Sequence, residues 1–460
     1  MSLHTDTIAA LATPPGESGL AVIRVSGERA LAVLSRVLRT MAGQPFSGEW
    51  EHRRLYHGRF VTPGDTPVDD VMAAVMRGPE SYTGEDVVEV SCHGGSAVVA
   101  RVLETLFAHD VRPAEPGEFT RRAFLNGKMD LIQAEAVADL IHARTELQRS
   151  VAERQLRGGL SNRIDTLADE MLGLLGLIEA NIDFIEEGID ALNVPDALAI
   201  IERQQAAIDD LLASAAFARP LRDGYRVVIA GPVNAGKSSL FNRLVGESRA
   251  IVTEIPGTTR DVLRETLSID GIPFVIHDTA GLRDDAPDRV ESIGIDRARD
   301  AAQGADVVVF VMDGSEAVTS ATQQAAAQLD GSRAVMVINK VDRPLRWDPP
   351  ATPGVTHVRT SAETGEGLGE LKAALLRLAR SDELTRMARD RVILNARLAA
   401  LLESARGPLA DLGRSIRDRE ALEILAARAR EILSYYEEAT GRRYGDELLD
   451  VIFSRFCIGK

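Results

Sequence analysis

The run Tyr225-Arg226-Val227-Val228-Ile229-Ala230 leads into Gly231-Pro232-Val233-Asn234-Ala235-Gly236-Lys237-Ser238 and then Ser239-Leu240, and its reading decides the rest of the chain. A β-branched strand feeds a glycine-bounded loop, and the loop opens into a helix expected to begin near Lys237. This is the phosphate-loop pattern in the strand–loop–helix setting that gives it meaning. Its glycines let successive backbone N–H groups turn inward toward phosphate oxygens. The helix N-terminus adds unpaired donors and the positive end of a dipole. Lys237 brings a full charge to the outer phosphates, and Ser238 offers a hydroxyl to magnesium.

Three further segments identify the nucleotide. Asp278-Thr279-Ala280-Gly281 follows the apolar run Ile272–Ile276, so a carboxylate stands at a strand end where it reaches magnesium through water. Asn339-Lys340-Val341-Asp342 follows the strand-like Ala334–Ile338. A carboxylate there accepts both N–H donors of a guanine edge, a pair that adenine lacks. Thr360-Ser361-Ala362 follows another short run and supplies a backbone contact to the base. Four segments, each at the C-terminal end of an expected strand, lie where open α/β sheets bind ligands. Together they resemble the guanine-nucleotide-binding domain of the GTPase superfamily. In Ras-like proteins a Gln after Asp-x-x-Gly orients the attacking water. Here that position is Leu282, so another group must do it. Asn234 inside the loop points to a monovalent cation beside the phosphates, with the segment Thr253–Asp261 wrapping over it.

The 460 residues suggest about three domains at ~150 residues each. A hydrophobic share of 45% supports a sizeable core in a soluble chain. A net charge of −16 argues against a dedicated nucleic-acid binder with a dominant basic face. The two cysteines, Cys92 and Cys457, form neither a disulfide framework nor a zinc cluster and fit a reducing cytosol. No apolar stretch reaches the ~20 residues of a membrane span, and no signal peptide is visible.

Residues 1–119 read as a compact α+β domain: a strand Gly19–Gly27, another over Asp69–Met76, a turn Ser81–Asp86, a strand from Val87 and a helix Ser96–His109. From Asp130 helical spacing dominates. Leu160, Ile164, Leu167 and Met171 recur on one helix face. Helix-rich sequence runs to about Phe217, interrupted near Gly188 and Pro195, and resumes from about Asp382 with Leu398, Leu401, Leu402, Leu422, Leu425 and Ile432. The simplest organisation inserts an α/β nucleotide domain into one discontinuous helical bundle, with divisions 1–119, 120–221, 222–380 and 381–460. Inserted domains are tolerated where their two ends lie close together.

With these residues, and with Ala12-Thr13-Pro14-Pro15-Gly16, Thr83-Gly84-Glu85-Asp86, Pro116–Asp130, Gly257-Thr258-Thr259-Arg260-Asp261, Asp278–Arg283 and the tail Phe456-Cys457-Ile458-Gly459-Lys460, the chain resembles the MnmE (TrmE) family of tRNA modification GTPases over essentially its whole length. The resemblance implies an N-terminal tetrahydrofolate-binding and dimerisation domain, a discontinuous helical domain and an inserted Ras-like GTPase domain. It implies a homodimer that joins the FAD-dependent partner MnmG (GidA) in a heterotetramer. That complex adds an aminomethyl or carboxymethylaminomethyl group at C5 of the tRNA wobble uridine. The one-carbon unit comes from methylene-tetrahydrofolate, and 5-formyl-tetrahydrofolate occupies the same pocket.

Carried over by motif, the GTP-binding residues are Asn234, Ala235, Gly236, Lys237, Ser238, Ser239, Thr253, Thr258, Thr259, Asp278, Thr279, Ala280, Gly281, Asn339, Lys340, Asp342, Ser361 and Ala362. Potassium ligands are Asn234, Thr253, the Ile255 carbonyl and Thr258, and magnesium ligands are Ser238 and Thr259. Glu291, through a bridging water, takes the missing glutamine role, and Cys457 matches a functional cysteine. Folate contacts match Arg24, Glu89, Lys128 and Lys460: a carboxylate suits the pterin's donor edge and cations suit the glutamate tail. The family usually has Pro directly before the loop Asn, where this chain has Val233. The alternative is a ribosome-assembly GTPase of the Era/Der type, which leaves the N-terminal motifs and the tail unexplained. For an acidic tRNA enzyme, Arg121-Arg122 and Arg442-Arg443 are the candidate phosphate contacts.

Overall fold

The computed structural model describes residues 6–183, 193–248, 264–277, 304–347, 352–390 and 393–460. Its first body is a seven-stranded sheet built from β1 (Thr7–Leu11), β2 (Ser18–Ser26), β3 (Leu38–Arg39), β4 (Arg54–Val61), β5 (Pro67–Met76), β6 (Val87–Gly94) and β7 (Val111–Pro113), in the order β3-β4-β5-β6-β2-β1-β7. The strands expected at Gly19, Asp69 and Val87 are present as β2, β5 and β6. Alternation does its work here: Ile23 and Val25 of β2 and Val88 and Val90 of β6 point into the core. The antiparallel register sets Arg24 directly opposite Glu89. The helix Ser96–Phe107 covers this core with Val102 and Leu106.

The second body is a helical bundle. In the helix Ser161–Asp183, Ile164, Leu167, Met171, Leu174 and Ile178 are buried at three- and four-residue spacing. They share one core with Ile201 and Ile208 of the helix Val194–Leu212, Leu402 and Leu409 of Ala396–Arg417, and Leu425 and Ile432 of Leu422–Thr440. Segments almost two hundred positions apart in sequence thus close a single core. Pro195 does not interrupt a helix. It opens one in the first turn, where its missing N–H costs nothing. Gly188 lies outside the described residues. A buried polar chain crosses the bundle: Tyr436 donates to Gln204 Oε1 at 3.0 Å, and Gln204 Nε2 donates to the Leu167 carbonyl at 2.9 Å.

The third body is a six-stranded sheet of β8 (Tyr225–Ala230), β9 (Arg264–Ile269), β10 (Ile272–His277), β11 (Val307–Asp313), β12 (Ala334–Asn339) and β13 (Thr356–Arg359), ordered β13-β12-β11-β8-β10-β9. All neighbours are parallel except the β9–β10 hairpin. Near-continuous apolar runs such as Ala334–Ile338 fit strands buried on both faces. The core of this sheet also takes in Val151, Phe217 and Leu221, together with Leu384, Ala388 and Ile393. The helix Ser381–Asp390 therefore packs with the sheet, and the bundle core resumes at Leu394.

The helix Glu146–Leu156 holds both places where the chain crosses between bundle and sheet. Gln148 donates to the carbonyls of Leu221 and Arg222 at 2.9 and 3.0 Å. Gln155 donates to the Ile393 carbonyl at 2.6 Å, and Arg154 to that of Ala388. The chain ends return to the first body. Leu449, Ile452, Phe453 and Phe456 pack on Phe124 and Leu131. Among the described residues no helix is long and apolar enough to cross a membrane.

Candidate functional site

The helix Lys237–Ser248 begins at the expected lysine, so the phosphate loop hangs at the C-terminal end of β8 between β11 and β10. Gly236 has φ +88°, and a methyl group there would collide with the Asn339 side-chain nitrogen, so only glycine fits. Asn234 also adopts the left-handed region, with φ +63°, a conformation that Asn tolerates better than most residues. Its side chain is exposed and has no hydrogen-bond partner among the described residues. The amide oxygen therefore remains available to a cation. Lys237 Nζ lies across the loop and donates to the Pro232 carbonyl at 2.7 Å.

A single buried side chain joins this loop to the segments expected to read the base. Asn339 is 1% exposed. Its Nδ2 donates to the Ala235 carbonyl at 2.9 Å, while its Oδ1 accepts from the Ala362 N–H at 3.1 Å and from Thr360 Oγ1 at 3.3 Å. The amide is used at both ends as a brace across three segments. Asp342 stays exposed at the rim and accepts a hydrogen bond from the buried Ser361 hydroxyl at 2.6 Å. That bond is the main cause holding its carboxyl below the ordinary range. Lys340, with φ +64°, pairs with Asp313 at 2.6 Å, which stretches its stem along the site. Burial raises the Asp313 carboxyl, but bonds from Lys340 and Ser315 more than cancel that effect. Asp313 ends β11 as the motif residues end their strands, and it is the member of this set that no sequence motif assigns.

A second cluster forms where the tail meets the first sheet. Arg24 pairs with Glu89 through two nitrogens at 2.7 and 2.9 Å and donates to the Gly459 carbonyl at 3.4 Å. Its guanidinium lies over the rings of Tyr82 at 5.4 Å and Phe119 at 5.6 Å. Gly459 has φ +95° and presses so close to the Leu11 carbonyl that a side chain would collide with it. Lys460 is thereby held half-buried. Burial first, and Arg24 second, lower its pKa, with Glu89 opposing them. Lys128 is exposed and donates to the Pro79 carbonyl at 2.8 Å, three residues from Tyr82. Tyr82 and Phe119, both beside the Arg24 guanidinium, lie within the motif segments but could not be assigned from spacing.

Two family models match. That of the MnmE helical domain covers residues 131–457, and that of the GTP-binding protein TrmE N-terminus covers residues 7–128. The chain belongs to the MnmE family. It is 43% identical over 460 residues to the tRNA modification GTPase MnmE of Symbiobacterium thermophilum, and 40% identical over 460 residues to that of Natranaerobius thermophilus, with 99% of each chain covered in both. The tRNA modification GTPase MnmE of Thermotoga maritima is 39% identical over 460 residues, covering 99% of this chain and all of the relative.

For a member of the MnmE family, the residues expected to act divide clearly. Asn234, Ala235, Gly236, Lys237, Ser238 and Ser239 share the loop with its helix, and Asn339, Lys340, Asp342, Ser361 and Ala362 stand beside them. Arg24, Glu89 and Lys460 are brought together by the tail. Thr253, Ile255, Thr258, Thr259, Asp278, Thr279, Ala280, Gly281 and Glu291 lie outside the described residues. Cys457 is exposed, whereas Cys92 is buried and its thiol is pushed up to about 11, by burial first and Asp69 second. One expectation is corrected. Arg122 is no phosphate contact: its side chain is 3% exposed and committed to Asp6, Glu85 and Glu118. Arg121 is mostly covered and pairs with Asp450 at 2.9 Å. Arg442 and Arg443 are exposed.

Proposed function

We propose that this chain is a GTP hydrolase of tRNA modification: with the FAD-dependent partner MnmG (GidA), it adds a carboxymethylaminomethyl or aminomethyl group at C5 of the wobble uridine, using a folate-derived one-carbon unit. The observation that carries the reading is the Asn339 brace. It fixes the phosphate loop and the Asp342–Ser361 pair as one unit, so phosphates and a guanine edge are met together. Lys237 faces the outer phosphates. Ser238 and Thr259 would hold magnesium, and Asn234, Thr253, the Ile255 carbonyl and Thr258 would hold potassium. Potassium supplies positive charge where other GTPases use an arginine finger, a role worth roughly 10³–10⁵-fold. The unpartnered amide of Asn234 fits that ligand set. Hydrolysis should therefore be far faster in potassium than in sodium at matched ionic strength, and equal rates would sink the potassium assignment. Glu291 orients the attacking water, so Glu291→Ala should lower kcat by roughly 10²-fold with nucleotide affinity retained. A wild-type rate in single-turnover assays would reassign the role.

In this reading the chain acts as a cytoplasmic homodimer through residues 1–119, with 120–221 and 381–460 forming the helical domain around the GTPase domain 222–380. The Arg24–Glu89–Lys460 cluster takes the folate. Glu89 offers acceptors to the pterin edge, and Lys128 and Lys460 suit the carboxylates of the tail. Calorimetric titration with 5-formyl-tetrahydrofolate should show binding that Lys128→Ala weakens roughly tenfold, the worth of one hydrogen bond to a charged group. An unchanged isotherm would remove Lys128 from the pocket. No binding to the native protein would leave the one-carbon reading without its cofactor.

A further inference from the structure

A cavity that shares no lining residue with either cluster lies at the seam between the bundle and the six-stranded sheet. It measures about 150 Å³, is partly open to solvent, and is lined by the helices Leu131–His142 and Glu146–Leu156 and by the two crossing segments around Leu221 and Ile393. Its wall is mainly apolar, with Val151, Ala152, Leu221, Ile393 and Ala399. An apolar cavity of this size can hold a six-carbon ring.

Most polar side chains of the wall are committed; among the described residues the buried Arg219 Nη1 makes no hydrogen bond, and neither does the Asp139 carboxyl. Gln148 bonds the carbonyls of Leu221 and Arg222 and accepts from the Arg144 and Thr145 N–H groups. Gln155 bonds the Ile393 carbonyl. Asn395 bonds Glu135 and the Leu398 N–H. His142 Nδ1 lies 2.8 Å from the Ala138 carbonyl, Arg222 pairs with Asp223, and Arg219 pairs with Asp306. Asp139 has no hydrogen bond or ion pair among the described residues. It stands in the last turn of its helix, at the negative end of the dipole, where an anion is disfavoured. Burial, opposed by Arg222, pushes its carboxyl up to about 6. At neutral pH it is therefore mostly an anion, poorly solvated and without a counter-ion in contact. A hard metal ion is a poor complement, because it needs six or more oxygens, and of the side-chain oxygens here only those of Asp139 and Gln155 accept no bond among the described residues.

We propose that this seam cavity binds a small alkylammonium ion, with its ammonium on the Asp139 carboxylate and its hydrocarbon body against Val151, Leu221 and Ile393. The site is distinct from the nucleotide and tail clusters and does not depend on their assignment.

The test uses the full-length protein, n-butylammonium as probe and n-butanol as its neutral match, followed by calorimetry and by methyl NMR of Ile393 and Val151. Butylammonium should bind saturably and shift both methyl signals, with butanol at least tenfold weaker. Asp139→Asn keeps the shape and removes the charge, so it should weaken the amine roughly 10- to 100-fold and leave butanol unchanged. Ala399→Leu fills the cavity from its half-exposed side and should abolish both. The proposal is overturned if the Ile393 methyl does not move, as it would not for amine held only at surface carboxylates. Equal affinity for butanol, or undiminished amine binding to Asp139→Asn, overturns it as well. If Asp139→Asn does not fold, the butanol comparison on the native protein and the Ala399→Leu variant still decide.

Discussion

Asp342→Asn should cost GTP binding roughly 10²–10⁴-fold, the worth of two hydrogen bonds to a charged group, and should redirect the protein toward xanthosine triphosphate. The Asp342 carboxylate offers only acceptors. One oxygen takes the Ser361 hydroxyl at 2.6 Å, and lone pairs remain for the two N–H donors of the guanine edge. In the Asn variant one of those positions becomes an N–H₂ donor. It then faces a guanine donor, so a bond is replaced by an unpaired, partly desolvated contact. Xanthine carries an oxygen at that position and restores the match. Ser361 can still donate to the remaining amide oxygen, and the Asn339 brace is untouched, so the fold should hold. Titration of fluorescent guanosine and xanthosine triphosphates into both proteins checks this. An unchanged preference would mean that Asp342 does not read the base.

Arg122→Met should destabilise the N-terminal body by about 3–5 kcal/mol, the usual consequence of removing one partner of a buried ionic network. Arg122 donates to Asp6 Oδ1 at 2.7 Å, to the two Glu85 oxygens at 3.2 and 3.1 Å and to Glu118 at 2.9 Å. Without it, Glu118 keeps only Arg112 and the Glu115 N–H. The Glu85 carboxylate keeps only the Ser26 hydroxyl. Melting of the N-terminal body should fall by roughly 10–20 °C.

The pH dependence gives a second signature. Burial raises the Glu118 carboxyl, yet bonds from Arg112, Glu115 and Arg122 outweigh it and hold the group below its ordinary 4.5. Asp6 is likewise held below 3.8. A carboxylate with a depressed folded-state pKa stabilises fully above its unfolded value, and that stability is lost as pH falls through the folded value. The native protein should therefore lose stability steeply on acidification below about pH 4.5, and the variant much less so. Equal acid sensitivity in both, measured by thermal melts across that range, would show that the network does not carry the linkage.

Much of this was legible without coordinates because the signals are local. The loop from Gly231 to Ser238 needs only its own backbone angles and the strand before it, and its helix starts at Lys237 as the sequence reading has it. The strand before Asn339 is a short apolar run, fully buried as such a run should be. The bundle face Leu160–Ile164–Leu167–Met171 is a pure spacing signal, and all four residues are buried. The reading failed at Arg122, since an arginine pair in sequence looks the same whether it faces solvent or three carboxylates. It also had no means of finding Asn339 as a brace, because its partners Ala235 and Ala362 lie in separate segments and only parallel strand packing brings them together.

The sequence by itself determined the kind of nucleotide site, the α+β, helical and α/β composition of the chain, and the family, because these rest on residue types at fixed local spacing. Only the tertiary structure decided that the tail closes over Arg24 and that one helix, Glu146–Leu156, grips both crossings. It alone left Asp139 with no hydrogen bond or ion pair among the described residues at the seam. Each of these depends on desolvation and hydrogen bonding between residues far apart along the chain, and such contacts leave no period or motif in the sequence to read.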